Sequence, residues 1–171
     1  MNRPAQTEYA PFYAGYVALV PETDVLKALE EQKDVFRRLA AVVPAERERH
    51  RYAEGKWSVR EVAGHVVDAE RVFGYRAFAF SRGEKAALPS FDENDYVAAS
   101  VYDRVPLADL VGELVAVREA NLAVLRRLSE VEWNRLGVAS GKPVSVRALA
   151  WIMAGHPRHH LQVLRDRYRV G

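Results

Sequence analysis

The segment SVRALAWIMAGHPRHHLQVL, residues 145–164, decides how this chain folds. Leu149, Met153, His156, His160 and Val163 recur in it at alternating steps of four and three, the stride of a core seam in a helical bundle. Ser145 stands where an N-cap residue would begin that helix. Two histidines thus occupy core positions, and a spacing of four puts both imidazoles on one helix face, within reach of a single metal ion. An imidazole buried without a partner costs on the order of 1–3 kcal/mol, and a divalent cation is a partner that serves both rings. The same opening occurs earlier: Trp57-Ser58-Val59-Arg60 parallels Val144-Ser145-Val146-Arg147. With the two serines aligned, His65 lies seven residues into its helix and His156 eleven into the other, positions that share a face. His65 becomes the candidate third ligand.

Working outward, the periodicity predicts four helices joined by three connections rich in proline or glycine, which is the pattern of an all-α four-helix bundle. The first covers roughly 22–42, with Val25, Leu26, Leu29, Phe36, Leu39 and Val43 on its apolar side and Pro44 as its stop. The second covers 58–81, opened by the capping pair Ser58 and Glu61 and closed by Gly83. The third covers 107–130 and the fourth 145–168. Between the second and third lies the longest connection, holding Pro89 and Phe91 to Tyr96 and long enough for a crossover or a lid. An aromatic arm, Tyr9, Phe12, Tyr13 and Tyr16, precedes the first helix and is expected to pack across the bundle. Residues 137–143 read as a tight reversal, and no alternation lasts long enough to predict a sheet.

With 171 residues, 49% of them hydrophobic, the chain is expected to form one domain, 1–171. Basic residues exceed acidic ones by two and are interspersed, which argues against a nucleic-acid surface. The chain has no cysteine, so thiolate metal sites and a cysteine nucleophile are excluded and any metal must rest on histidine, carboxylate or water. The first residues lack the apolar core of a signal peptide and no uncharged run approaches a membrane span, so a cytoplasmic protein without membrane partners is expected.

The alternative for His156 and His160 is an ordinary pair of hydrogen-bonded core residues; their spacing together with His65 favours the metal. His159 falls off the shared face and His50 in a charged connection, and both are left out of the ligand set. Pro157 removes a helical donor beside His156, which predicts a local kink. It also stands where a His-Glu-x-x-His peptidase carries its glutamate, so that chemistry is not expected. Asp68, Asp92, Glu93 and Asp95 are candidate acid–base groups, while Trp57, Tyr96 and Trp151 are candidate pocket aromatics.

Trp57 to His65, together with Gly155-His156-Pro157-Arg158-His159-His160-Leu161, resembles the motifs of the DinB-like superfamily, also called DinB/YfiT-like metalloenzymes, and the resemblance covers nearly the whole chain. It implies a four-helix bundle with a crossover, a homodimer, and one divalent metal on His65, His156 and His160. Zinc or nickel leads, with iron or manganese next. Relatives that use bacillithiol or mycothiol imply a thiol-dependent S-transferase acting on a small electrophile, with a low-molecular-weight thiol such as bacillithiol as cofactor. Two alternatives stand beside it: a metal-dependent hydrolase of a small substrate, and a non-catalytic metal-stabilised dimeric module.

Overall fold

The computed structural model describes residues 2–170. In chain order its elements are α1 (Ala14–Ala18), α2 (Val25–Val42), α3 (Val59–Ser81), α4 (Glu93–Ala99), α5 (Leu107–Leu125), α6 (Glu130–Trp133), β1 (Leu136–Ala139), β2 (Lys142–Ser145) and α7 (Val146–Asp166). The four long helices, α2, α3, α5 and α7, form the bundle. Their caps are written in the sequence. Asp24 accepts from Leu26 N and Lys27 N at the start of α2, Ser58 and Glu61 form a reciprocal box at α3, and Ser145 accepts from Ala148 N at α7.

Contacts along the helices give their directions. Glu70 of α3 meets Arg118 of α5 and, one turn on, Gly74 meets Asn121, so α3 and α5 run parallel. Lys33 of α2 reaches Glu119, and Glu30 reaches Arg126, so α2 opposes α5. His65 faces His156 while Val59 and Val62 share a cluster with Leu164 and Tyr168, so α7 opposes α3. The order is up, down, down, up. Joining two parallel neighbours requires residues 82–106 to travel back along the bundle, which makes that connection the expected crossover. It carries α4 on the way.

The structure corrects three boundaries and one absence. The first helix begins at Val25, because Asp24 caps it there, and the fourth ends at Asp166. The third ends at Leu125 rather than near 130, because Ser129 and Glu132 cap a separate turn, α6. Residues 136–145 form a two-stranded antiparallel sheet where no sheet was expected. Each strand has only four residues, too few for alternation to register, and the signal lay instead in the loop: Ser140 and Gly141 both take left-handed backbone, φ 53° and 71°, as a two-residue hairpin turn requires. Leu88 pairs with this hairpin, donating to Val138 O at 2.8 Å and accepting from Ser140 N at 3.1 Å. The crossover is thereby anchored to one end of the bundle.

The apolar core falls into two clusters with a polar layer between them. One contains Leu29, Phe73, Phe80, Leu122, Leu149 and Trp151; the other contains Phe36, Val62, Val66, Leu114 and Leu164. Where the clusters meet, each bundle helix contributes a buried polar side chain: Gln32, Glu70, Arg118 and His156. Arg118 directs its donors to all three other helices: Glu70 at 2.7 and 2.9 Å, Gln32 Oε1 at 2.9 Å, Leu29 O at 3.1 Å and Met153 O at 3.2 Å. Gln32 in turn donates to Ala154 O at 2.7 Å. Helix α7 remains helical through Pro157.

Candidate metal centre

His65 projects from the first half of α3, and His156 and His160 project one turn apart from α7. Their ring nitrogens converge: His156 Nε2 lies 3.1 Å from Nε2 of His65 and 3.1 Å from Nε2 of His160, and one nitrogen from each ring falls within 4.8 Å of the others. A neutral Nε2 carries either one proton or one in-plane lone pair, so His156 Nε2 can satisfy only one of its two neighbours. A cation placed between the rings satisfies all three.

Their protonation state agrees. Burial, reinforced by the neighbouring histidines, lowers His65 to about 4 and His160 to about 3, and takes His156 well below the ordinary value. The rings are neutral at physiological pH, the form that binds a metal. The donor set therefore fits a divalent ion that favours imidazole. One feature departs from the common pattern: among the described residues His65 Nδ1 is buried without a hydrogen-bond partner, whereas ligating histidines usually donate that N–H.

The aromatic arm supplies the wall. The Tyr16 ring meets His156 edge-on at 5.3 Å and His159 at 5.5 Å, Phe73 stands 5.7 Å from His156, and Trp57 lies 4.9 Å from His65. Gly155 permits this approach. A Cβ there would sit 1.9 Å from Tyr16 O, a backbone atom that cannot turn aside. Above the histidines opens a cavity of about 330 Å³, bounded by Tyr13, Tyr16, Phe73, Arg76, Phe91 and Glu93 among others. A second, of about 280 Å³, is bounded by Tyr52, Lys56, Asn94 and Tyr168. Trp57, His159 and His160 line both.

The remaining candidates separate cleanly. Glu93 reaches the first cavity, where, after burial, it is the next cause of the raised Tyr16 pKa. Asp92 caps α4 instead, accepting from Asn94 N and Asp95 N, and Asp95 lines neither cavity. Asp68 accepts from the Tyr102 hydroxyl at 2.6 Å and also lies outside both. Trp151 is core, Tyr96 is half exposed against Phe91, and His50 packs on Tyr168. Sequence reasoning passed over Arg76 and Ser140, which meet at the cavity wall with Arg76 Nη2 donating to Ser140 Oγ at 3.0 Å. Arg76 stands eleven residues after His65, the offset that defines one helix face, so the periodicity that found the histidines also reaches it.

An up-down-down-up helical bundle with three convergent histidines, two buried and His160 half-buried, defines the class of protein. The chain belongs to the DinB superfamily, whose pattern matches residues 28–164. It is 24% identical over 151 residues to a Geobacillus thermodenitrificans protein named "Putative metal-dependent hydrolase", covering 85% of this chain and 84% of that one. In fold it is similar to YfiT from Bacillus subtilis, described as having an unusual four-helix bundle topology, with a TM-score of 0.76, 18% identity, and 95% and 93% of the two chains covered. It is also similar to the mycothiol-dependent maleylpyruvate isomerase, with a TM-score of 0.67 and 14% identity over 90% of this chain and 63% of that one.

Proposed function

We propose that this protein is a metal-dependent enzyme that joins a low-molecular-weight thiol, such as bacillithiol, to a small electrophile at His65, His156 and His160. The observation that carries the reading is the pair of cavities that meet at Trp57, His159 and His160. Two substrates need two approaches to one centre, whereas a substrate and water need one. A divalent ion on the three rings, zinc or nickel first and iron or manganese next, would lower the proton affinity of a thiol brought against it. The cavity bordered by Lys56 and Asn94 takes the thiol, and the one walled by Tyr13, Tyr16 and Phe73 takes the electrophile. Glu93 lines the electrophile's cavity and its neighbour Asn94 the thiol's, so once the sulfur reaches the shared centre Glu93 takes the thiol proton; the sulfur then bonds to the electrophilic carbon, and the leaving group departs with its electron pair. With no cysteine in the chain, the sulfur arrives with the ligand.

Hydrolysis of a small ester or amide is the second reading, favoured by the name of the Geobacillus relative and by the same Glu93 acting on water. Metal-loaded protein incubated with monochlorobimane and a thiol, and separately with p-nitrophenyl acetate alone, tells them apart. Thiol-dependent conjugation that disappears in His156→Ala supports the transferase. Thiol-independent ester cleavage lost in the same variant supports the hydrolase, and inactivity with metal bound supports a non-catalytic module. A cytoplasmic location and a homodimer belong to the same proposal. Among the described residues no helix is long and apolar enough to cross a membrane, and Tyr75 and Phe78 leave apolar surface exposed on α3. Sedimentation velocity reads the oligomeric state.

A further inference from the structure

The geometry points to Arg76 as the reader of a carboxylate on the small molecule that enters the aromatic cavity. The inference rests on the enzymatic reading above and narrows its substrate to an acid with an apolar body.

Two arginines of the bundle are almost fully enclosed, Arg118 at 0% and Arg76 at 3% exposure. They are treated differently. Arg118 faces the Glu70 carboxylate and three further acceptors. Arg76, among the described residues, forms no ion pair. Only its Nη2 is engaged, donating to Pro89 O at 2.7 Å and Ser140 Oγ at 3.0 Å. A guanidinium has five N–H donors, and the remaining ones on Nε and Nη1 are neither matched nor sealed in, because Arg76 borders the cavity. Enclosing a cation without a counter-charge is costly, so an anion at this wall supplies what the protein withholds. With both Nη2 protons taken, neither two-nitrogen face of the guanidinium is open, and a carboxylate oxygen accepts singly from Nη1 or Nε as a charge-assisted hydrogen bond.

Position sets the rest of the ligand. His65 and Arg76 share a face of α3, eleven residues or about 16 Å of helix rise apart. Helical side chains lean toward the N-terminus, so the Arg76 guanidinium tilts back toward the histidines. Ala69 and Phe73 lie between them, with Tyr13 and Phe91 also on the wall. A ligand held at Arg76 therefore lays an apolar segment along this floor and presents its far end to the histidines. Glu93, exposed on the same cavity beside Tyr16, repels a second acid there and fixes the orientation. The Nη2 bonds to Pro89 and to Ser140, whose left-handed backbone closes the hairpin, hold the guanidinium in place.

The test compares 3-phenylpropionate with its neutral amide by calorimetry on metal-loaded protein, with metal content measured on every sample. The acid is expected to bind about tenfold or more tightly than the amide, the scale of one charge-assisted hydrogen-bonded pair. Arg76→Gln should erase most of that preference while retaining the metal. Equal binding of acid and amide, or binding of neither, overturns the assignment, as does an acid preference that survives in Arg76→Gln, which would place the carboxylate on the metal. Should the variant fail to fold, chelator-treated wild type gives the second reading: the acid preference persists there if Arg76 is the reader and vanishes if the metal is. Loss of metal binding throughout, with the preference intact in wild type, would count against the enzymatic reading and leave the subsite standing.

Discussion

Arg118 on α5 donates through Nη2 to the carbonyl of Met153, the acceptor that Pro157 leaves without its helical N–H. Gln32 covers the next carbonyl, Ala154 O. The break in the α7 ladder thus opens against a buried polar layer at Met153 O, one turn before His156 and two before His160.

Removing Arg118 strands the Glu70 carboxylate in the core. Arg118→Ala is expected to lower unfolding free energy by about 3–5 kcal/mol. Replacing both partners, Arg118→Met with Glu70→Leu, should recover most of that loss, because no charge is then left buried. Urea denaturation of the single and double variants measures both.

The three histidines should act as a set. Alanine at His65, His156 or His160 is expected to reduce bound divalent metal to a small fraction of one per chain. His50→Ala and His159→Ala should retain it. Metal analysis after mild dialysis decides; retention in all five variants would remove the proposed ligand set. Adding a chelator should lower the melting temperature of wild type and leave the His156→Ala variant unmoved.

Gly155→Ala drives a methyl group into Tyr16 O. The arm must lift or α7 must shift, at about 1–3 kcal/mol. Limited proteolysis should then cut near residues 9–18 well before the bundle unfolds. Protection equal to wild type would show that the crossing relaxes without separating.

The arm is also tied by charge. Burial pushes the Glu8 carboxyl upward, but bonds from Arg147, Ser145 and Ala5 N outweigh it and hold the carboxyl below its ordinary value of 4.5. A carboxyl whose folded pKa is depressed contributes stability above its unfolded pKa and loses it as pH falls through the folded one. Glu8→Gln should therefore destabilise the protein at pH 7 by about 1 kcal/mol and converge with wild type once the pH has fallen from 4.5 through the lowered Glu8 pKa. Melting curves across that range check the sign.

The elements legible in the sequence are those whose signal is periodic or chemically specific. Ser58, Glu61 and Ser145 mark caps because a side-chain oxygen at a helix start has one local use, whereas the start of α2 was expected near 22 and Asp24 caps it later. The seam through Met153, His156 and His160 reads directly because a bundle core repeats. The hairpin escaped because four-residue strands carry no period and Ser140 is not a residue that announces left-handed backbone. Arg76 escaped for another reason: an arginine on a helix is usually solvated, and only the enclosure by Pro89 and Ser140, brought from two other parts of the chain, makes it singular. Asp68 failed as a site residue because sequence adjacency to His65 does not fix the face, and Tyr102 takes it away from the cavities.

The arm that carries Tyr13 and Tyr16 ends before residue 28, where the stretch shared with the superfamily begins. The floor and the three histidines lie inside that stretch; the roof is laid over it from outside, held by Tyr16 against Gly155 and by Glu8 against Arg147. A cover tied down at two points and not woven into the bundle can be altered residue by residue while the histidines keep their spacing, so in this chain selectivity and metal binding are separable properties.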